Sequence, residues 1–221
     1  MKNILKHINT KKIKFIFILT FLFFIYICIS AYSYVYCISS NLSDAVFRLH
    51  VIANSNSEKD QELKYKVRDN LIDYMNKLCK NCTSKEEVIK ICNENKSSFK
   101  EIAEETIHSE GFNYDTNVTI GNFMFPTKTY GDISFPSGMY DALRIEIGNA
   151  QGKNWWCVLY PSLCFLNMDS GIVPEESKEN LQETLSNEEY NIVSNSDNNY
   201  IKFKFKIIEL FNNSPIFTAK I

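Results

Sequence analysis

The sequence predicts an α+β fold: a single domain with two long helices packed on a mainly antiparallel sheet, preceded by an N-terminal signal or anchor segment. Three observations predict it. No charged residue occurs from Phe15 to Ser43, and five lysines lie ahead of that run. Apolar residues recur at helical spacing between the serines near residue 55 and Gly111. Beyond Gly111 the period shifts to the alternation of strands.

The leader comes first. Lys2, Lys6, Lys11, Lys12 and Lys14 precede the apolar run, with no acid among them. Basic flanks stay in the cytoplasm, so the rest of the chain is expected outside. The core, Phe15–Ile29, has signal-peptide length and falls short of the roughly 20 residues of a spanning helix. Ala31-Tyr32-Ser33 offers small residues in cleavage spacing, whereas Tyr32–Ile38 stays uncharged and would lengthen the segment into an anchor. Residues 1–40 therefore read as signal peptide or membrane anchor, and residues 41–221 as the exported domain. Cys28 and Cys37 lack the small preceding residue of a lipoprotein signal.

Without the leader's five lysines, 19 basic residues face 26 acidic ones, a net charge of −7. Bulk charge of that sign excludes nucleic acid and anionic lipid as partners of the outer domain and favours a basic or mixed protein surface. Five of the seven cysteines lie beyond the leader, an odd number, so at least one is free or intermolecular.

The exported part opens with a strand over Val46–Ala53 and a loop at Asn54–Ser57. Ser55 with Glu58, or Ser57 with Asp60, can start a helix. Leu63, Val67, Leu71, Met75 and Leu78 carry that helix to Cys79. Ser84 with Glu87 opens a second helix, with Val88, Ile91, Cys92, Phe99, Ile102, Ala103 and Ile107 on one side and Gly111 as its cap. Asn117–Ile120 and Leu143, Ile145, Ile147 alternate as strands. Trp155–Tyr160 is apolar on both faces, as expected of a central, doubly covered strand. Residues 174–199 form an acidic, weakly structured segment with one or two short helices. Ile201–Ile207 alternates with lysines that would protect it as an edge strand.

Three runs carry a family resemblance: Phe-Pro-Thr-Lys-Thr-Tyr-Gly (125–131), Phe-Pro-Ser-Gly-Met-Tyr-Asp-Ala-Leu-Arg-Ile (135–145) and Gly-Lys-Asn-Trp-Trp-Cys-Val-Leu (152–159). Phe47-Arg-Leu-His-Val-Ile-Ala-Asn-Ser-Asn-Ser57, Asp60-Gln61 and Lys66-Val-Arg-Asp69 agree with them. From about Ala45 to Cys164 the chain resembles the stage II sporulation protein R family. The resemblance implies a secreted sporulation signalling protein, made in the forespore and exported into the space facing the mother cell. There it would activate a membrane-embedded aspartic protease that processes the precursor of a mother-cell sigma factor (sigma E). Arg48, Asn54, Lys66, Arg68, Asp69, Tyr130, Tyr140 and Arg144 match the family pattern. Partner contact and a network of surface hydrogen bonds are both open readings of them.

The residues themselves point the same way. The exported part holds two histidines, His50 and His108, and no metal-binding, nucleophile-elbow, phosphate-loop or dinucleotide motif. No cofactor and no catalytic set are expected. The rival readings are a hydrolase pairing Cys157 or Cys164 with His50 as base, and a structural septal scaffold. Cys79-Lys-Asn-Cys82 ends a helix, where ordinary thiols or a bridge to Cys92 are expected. Cys157 and Cys164 flank Pro161, which can turn the chain back. Spacing and export favour a disulfide between them, and the alternative is two buried reduced thiols. Trp155 and Trp156 point to opposite faces, one expected in the core and the other as an interface anchor. The partner-contact candidates are Arg48, His50, Tyr130, Tyr140, Arg144, Trp155 and Trp156.

Overall fold

The structure, a computed structural model, describes residues 10–161, 163, 173–194 and 206. The chain divides into two compact units, Met1–Ile38 and Ser39–Ile221. The first is built on helix α1 (Thr10–Ala45), which is long and apolar enough to cross a membrane. Phe15, Phe17, Phe21 and Tyr26 are all exposed on it. A helix apolar on every side gains from hydrocarbon and not from water, which is compatible with membrane anchoring or export.

The second unit follows the chain as β1 (Phe47–Ile52), α2 (Glu58–Leu78), α3 (Lys85–Glu94), α4 (Lys96–Ser109), β2 (Thr116–Phe125), β3 (Lys128–Tyr130), β4 (Ile133–Phe135), β5 (Gly138–Ile147), β6 (Asn154–Tyr160), α5 (Glu175–Thr184) and α6 (Asn187–Ser194). Four strands form one sheet in the order β2-β5-β1-β6, and β3 and β4 form a separate hairpin. This is the expected α+β architecture, with one refinement. The outer pairs are antiparallel, but the central pair, β1 with β5, is parallel. Parallel neighbours need a long crossover, and α2, α3, α4 and β2 supply it.

Ser57 caps α2: its hydroxyl accepts from the amide of Asp60. Of the two starts legible in the sequence, the chain uses the second. Leu63, Val67, Leu71, Ile72 and Met75 are buried along α2, and Phe99, Ala103 and Ile107 along α4. Leu49, Val51, Leu143 and Ile145 are fully buried on the sheet. Each such side chain contributes roughly 1.5–3 kcal/mol of transfer free energy.

The single second helix of the sequence reading is two helices, broken at Asn95. The Asn95 amide donates to the Ile91 carbonyl at 3.0 Å and its side chain donates to the same oxygen at 2.9 Å, while its own carbonyl accepts from Phe99. One residue thus closes α3 and opens α4, and Tyr74 holds it through a 3.2 Å hydrogen bond. The second correction concerns β6, which is an outer strand of the sheet among the described residues and not a central one. Both Trp155 and Trp156 are consequently half-buried, so neither is the fully covered core residue expected of the pair. The expected strand at 201–207 lies outside the described residues apart from Lys206, which is helical. The acidic stretch does form two short helices, α5 and α6.

The loop Asn54–Ser57 fastens this domain. Asn54 accepts from the Asn149 amide at 2.9 Å and donates to Asp60 at 3.0 Å. Ser55 and Tyr114 also donate to the Asp60 carboxylate. Burial raises the Asp60 pKa, but hydrogen bonds from Ser55, Asn54, Tyr114 and Ser57 outweigh it and hold the carboxyl below its ordinary value. Asn56 accepts from the Lys153 amide, and the Gly152 amide donates to the Ala53 carbonyl. The β1–α2 loop and the β5–β6 turn are therefore one hydrogen-bonded knot. Gly152 sits where a Cβ would come within 2.2 Å of the Ser55 carbonyl oxygen. Gly152→Ala must push backbone away from backbone, and we expect it to destabilise the domain by about 1–3 kcal/mol. A urea titration checks this: the midpoint falls while the slope is kept.

Candidate functional site

Among the described residues of the domain, the largest fully buried side chain is a charged one, Arg48. It stands on β1 with neighbours on both sides, so its guanidinium cannot reach water. Phe125, Tyr140 and Phe135 surround it, with ring centroids 4.2, 4.7 and 5.8 Å from the guanidinium carbon. Ring faces are negative and attract a cation, most strongly where water is excluded. Nη2 donates to the Tyr130 hydroxyl at 2.8 Å, which in turn donates to the Trp156 carbonyl at 3.0 Å. Tyr140 donates to the Pro136 carbonyl at 2.8 Å. Burial pushes both phenols up, so both stay protonated donors at neutral pH. Nε and Nη1 of Arg48 find no acceptor among the described residues.

Beside the cage, on the same face of the sheet, lies a half-buried strip. His50, two residues along β1, stacks on Trp156 with ring centroids 3.6 Å apart and planes 16° apart. Its Nε2 is 2.9 Å from the Asn154 amide oxygen, an acceptor, so that nitrogen carries the proton. Burial drives the His50 pKa down to about 4; the Asn154 hydrogen bond opposes this and the Arg144 charge reinforces it. Arg144, opposite His50 in the β1–β5 register, pairs with Glu146 at 2.5 Å and lies 5.2 Å from the Phe123 ring. Glu146 also accepts from Asn117 at 2.8 Å.

The expected pairing of a cysteine with His50 is not assembled here. His50 is neutral and stacked. Cys157 pairs with Leu49 in the register, while His50 pairs with Trp156, so imidazole and sulfur are on opposite faces. Cys157 is moreover disulfide-bonded, and its expected partner Cys164 lies outside the described residues. Cys79, Cys82 and Cys92 are free, so no bridge from either of the first two to Cys92 is present. Among the described residues, no group of three His, Cys, Asp or Glu side chains could hold a metal ion.

The model of the stage II sporulation protein R family matches residues 43–170. The chain belongs to that family. Stage II sporulation protein R of Bacillus subtilis (strain 168) is 39% identical over 138 residues, which cover 62% of each chain. The chain thus spans under two thirds of the length of the curated relative it matches. No solved structure matches it.

The family-matching residues divide by environment. Arg48, Tyr130 and Tyr140 are buried against one another and present no surface to a partner. Asn54 belongs to the loop knot. Lys66 pairs with Glu110, and Arg68 pairs with Asp69 at 2.6 Å while lying 4.3 Å from the Trp155 ring on the helix side. His50, Arg144 and Trp156 come together on the strip, and Trp155 faces away from it. Phe123, Phe125, Phe135 and Asn154 join the site without having been singled out. Phe125 and Phe135 each precede a proline in a motif run, a signal that could have marked them.

Two outcomes follow from this geometry. Tyr130→Phe removes the hydroxyl between Arg48 and β6, and we expect a loss of about 1–3 kcal/mol in chemical denaturation. For His50, the folded pKa lies below the unfolded value of 6.5. The unfolded chain therefore takes up the proton first, stability is full above about pH 6.5, and it falls as pH drops toward 4. Between pH 7 and pH 5 the loss is about 2 kcal/mol. His50→Gln should abolish that part of the pH dependence, read as a smaller shift in the urea midpoint.

Proposed function

We propose that this protein is an exported sporulation signal that activates a membrane-embedded aspartic protease, leading to processing of the sigma E precursor. It is exported across the forespore membrane into the space between forespore and mother cell, either released or held by α1. Membership of the family over residues 43–170 carries the reading. The strip of Phe123, Arg144 and Trp156 supports it as the receptor face. Half-buried aromatic and arginine side chains on a rigid base make binding hot spots, and here the caged Arg48 stiffens that base. A ligand of this kind need only bind the active arrangement of its receptor more tightly than the inactive one. No catalytic role is assigned to the protein, since a neutral histidine sealed by a tryptophan is poorly placed to move protons.

The test is reconstitution. The sigma precursor, the protease and this protein are produced together, and the cleaved precursor is measured against the dose of the exported protein. Arg144→Ala and Trp156→Ala should each raise the dose needed roughly thirtyfold, the equivalent of about 2 kcal/mol of binding, with circular dichroism unchanged. A folded, receptor-binding His50→Ala variant that is inactive at saturation would overturn the reading and restore a Cys/His enzyme.

A further inference from the structure

Cys79 and Cys82 stand at the corner where α2 ends, beyond the strip and its chemistry. The Cys79 amide donates to the Met75 carbonyl at 2.8 Å and closes α2. The Cys82 amide then donates to the Cys79 carbonyl at 3.0 Å. A turn closed this way keeps its end Cα atoms within about 7 Å, which overlaps the 4.4–6.8 Å that a disulfide spans. Both cysteines line a cavity of about 840 Å³, walled also by Ser84, Tyr160, Glu176 and Thr184. That volume admits a small organic molecule. The third free thiol, Cys92, is fully buried, with its sulfur 3.5 Å from that of Met75.

We propose that Cys79 and Cys82 form a second disulfide, made by exchange with a small-molecule disulfide that reaches them through the cavity. The compartment that would supply the oxidant rests on the export reading; the geometry stands without it. One thiolate of the pair attacks the incoming disulfide, giving a mixed disulfide and releasing one small thiol. The second thiolate attacks the protein sulfur of that mixed disulfide and releases the other. Two electrons and two protons pass to the small molecule, and one S–S bond replaces another. Cys92, sealed from the cavity, is left as the odd thiol.

The position at the helix end decides what kind of disulfide this is. Oxidoreductases place such a pair at a helix N-terminus, where the thiolate is stabilised and the bond is easily reduced. Here Cys79 is at the C-terminus, the negative end of the helix dipole. Burial pushes its thiol up to about 12, and the neighbouring Cys82 adds to the shift. With no stabilised thiolate to fall back to, the bond is a durable structural link. It fixes the segment whose Thr83 carbonyl accepts from Tyr160 at 2.8 Å, joining α2 to the end of β6.

The experiment uses the folded full-length protein, incubated with oxidised glutathione, alkylated in denaturant without reductant and digested with trypsin. Cleavage after Lys80 puts the two cysteines on separate peptides, 78–80 and 81–85. We expect those peptides linked, two hydrogens lighter than their sum, with Cys92 alkylated. Cys79→Ser should abolish the link and leave Cys82 alkylated or as a glutathione adduct. Quantitative alkylation of both thiols in the unaltered protein, or a link from either to Cys92, overturns the proposal. The same digest of protein taken from cells separates the two readings. A reduced Cys157 there says that the protein never reached an oxidising compartment and counts against export. A bridged Cys157 beside alkylated Cys79 and Cys82 counts against this disulfide alone.

Discussion

One guanidinium organises the sheet. Arg48 belongs to β1, and its neighbours are Phe125 of β2, Tyr130 of β3, Phe135 of β4 and Tyr140 of β5, with the Tyr130 hydroxyl reaching on to the Trp156 carbonyl of β6. Every described strand therefore touches Arg48 or the tyrosine bound to it. A permanently charged group taken out of water is expensive unless something replaces its hydration. Ring faces and one phenol do so here, with no carboxylate among the described groups that touch it. Displacing any of those rings exposes the charge to an apolar interior, so the strands hold position together or not at all.

That constraint explains why the neighbouring strip can stay half-buried and still be well defined. Trp156 is fixed through its backbone by Tyr130 and through its ring by His50. Arg144 is fixed by Glu146, which Asn117 holds in turn. Little side-chain freedom is left to lose on association, which lowers the entropic cost of binding. The loop knot of Asn54, Asp60 and the β5–β6 turn does the same for the strand ends that flank the strip.

What the sequence revealed depended on distance along the chain. The helix start at Ser57, the strand periods and the opposite aspects of Trp155 and Trp156 are local properties and could be read directly. The aromatic runs around 125–131 and 135–145 stood out by composition, yet nothing local says that Phe125, Tyr130, Phe135 and Tyr140 converge on Arg48. The partner choice of β1 and β5, and the outer place of β6, are decided by the packing of the whole sheet. For that reason the expectation that one of the two tryptophans is a core residue fails. The break at Asn95 was legible in principle, since asparagine competes for backbone groups, but an unbroken apolar period masked it. The hairpin of β3 and β4 turns at Gly131, with φ of 57°, and was hidden inside a motif read for recognition.

The parallel pairing of β1 with β5 also sets the order in which the chain can fold. The knot that aligns the two strands joins Asn54 to Asn149, 95 residues apart. Contacts so distant in sequence slow folding, because loop closure must be met before pairing offsets it. A chain emerging from its N-terminus during synthesis delivers β1 first and β5 much later. The helices between them can form as they emerge, while the backbone of β1 and the Arg48 guanidinium stay hydrated. The domain thus acquires its sheet, and with it the half-buried strip, only once the chain is complete through β6.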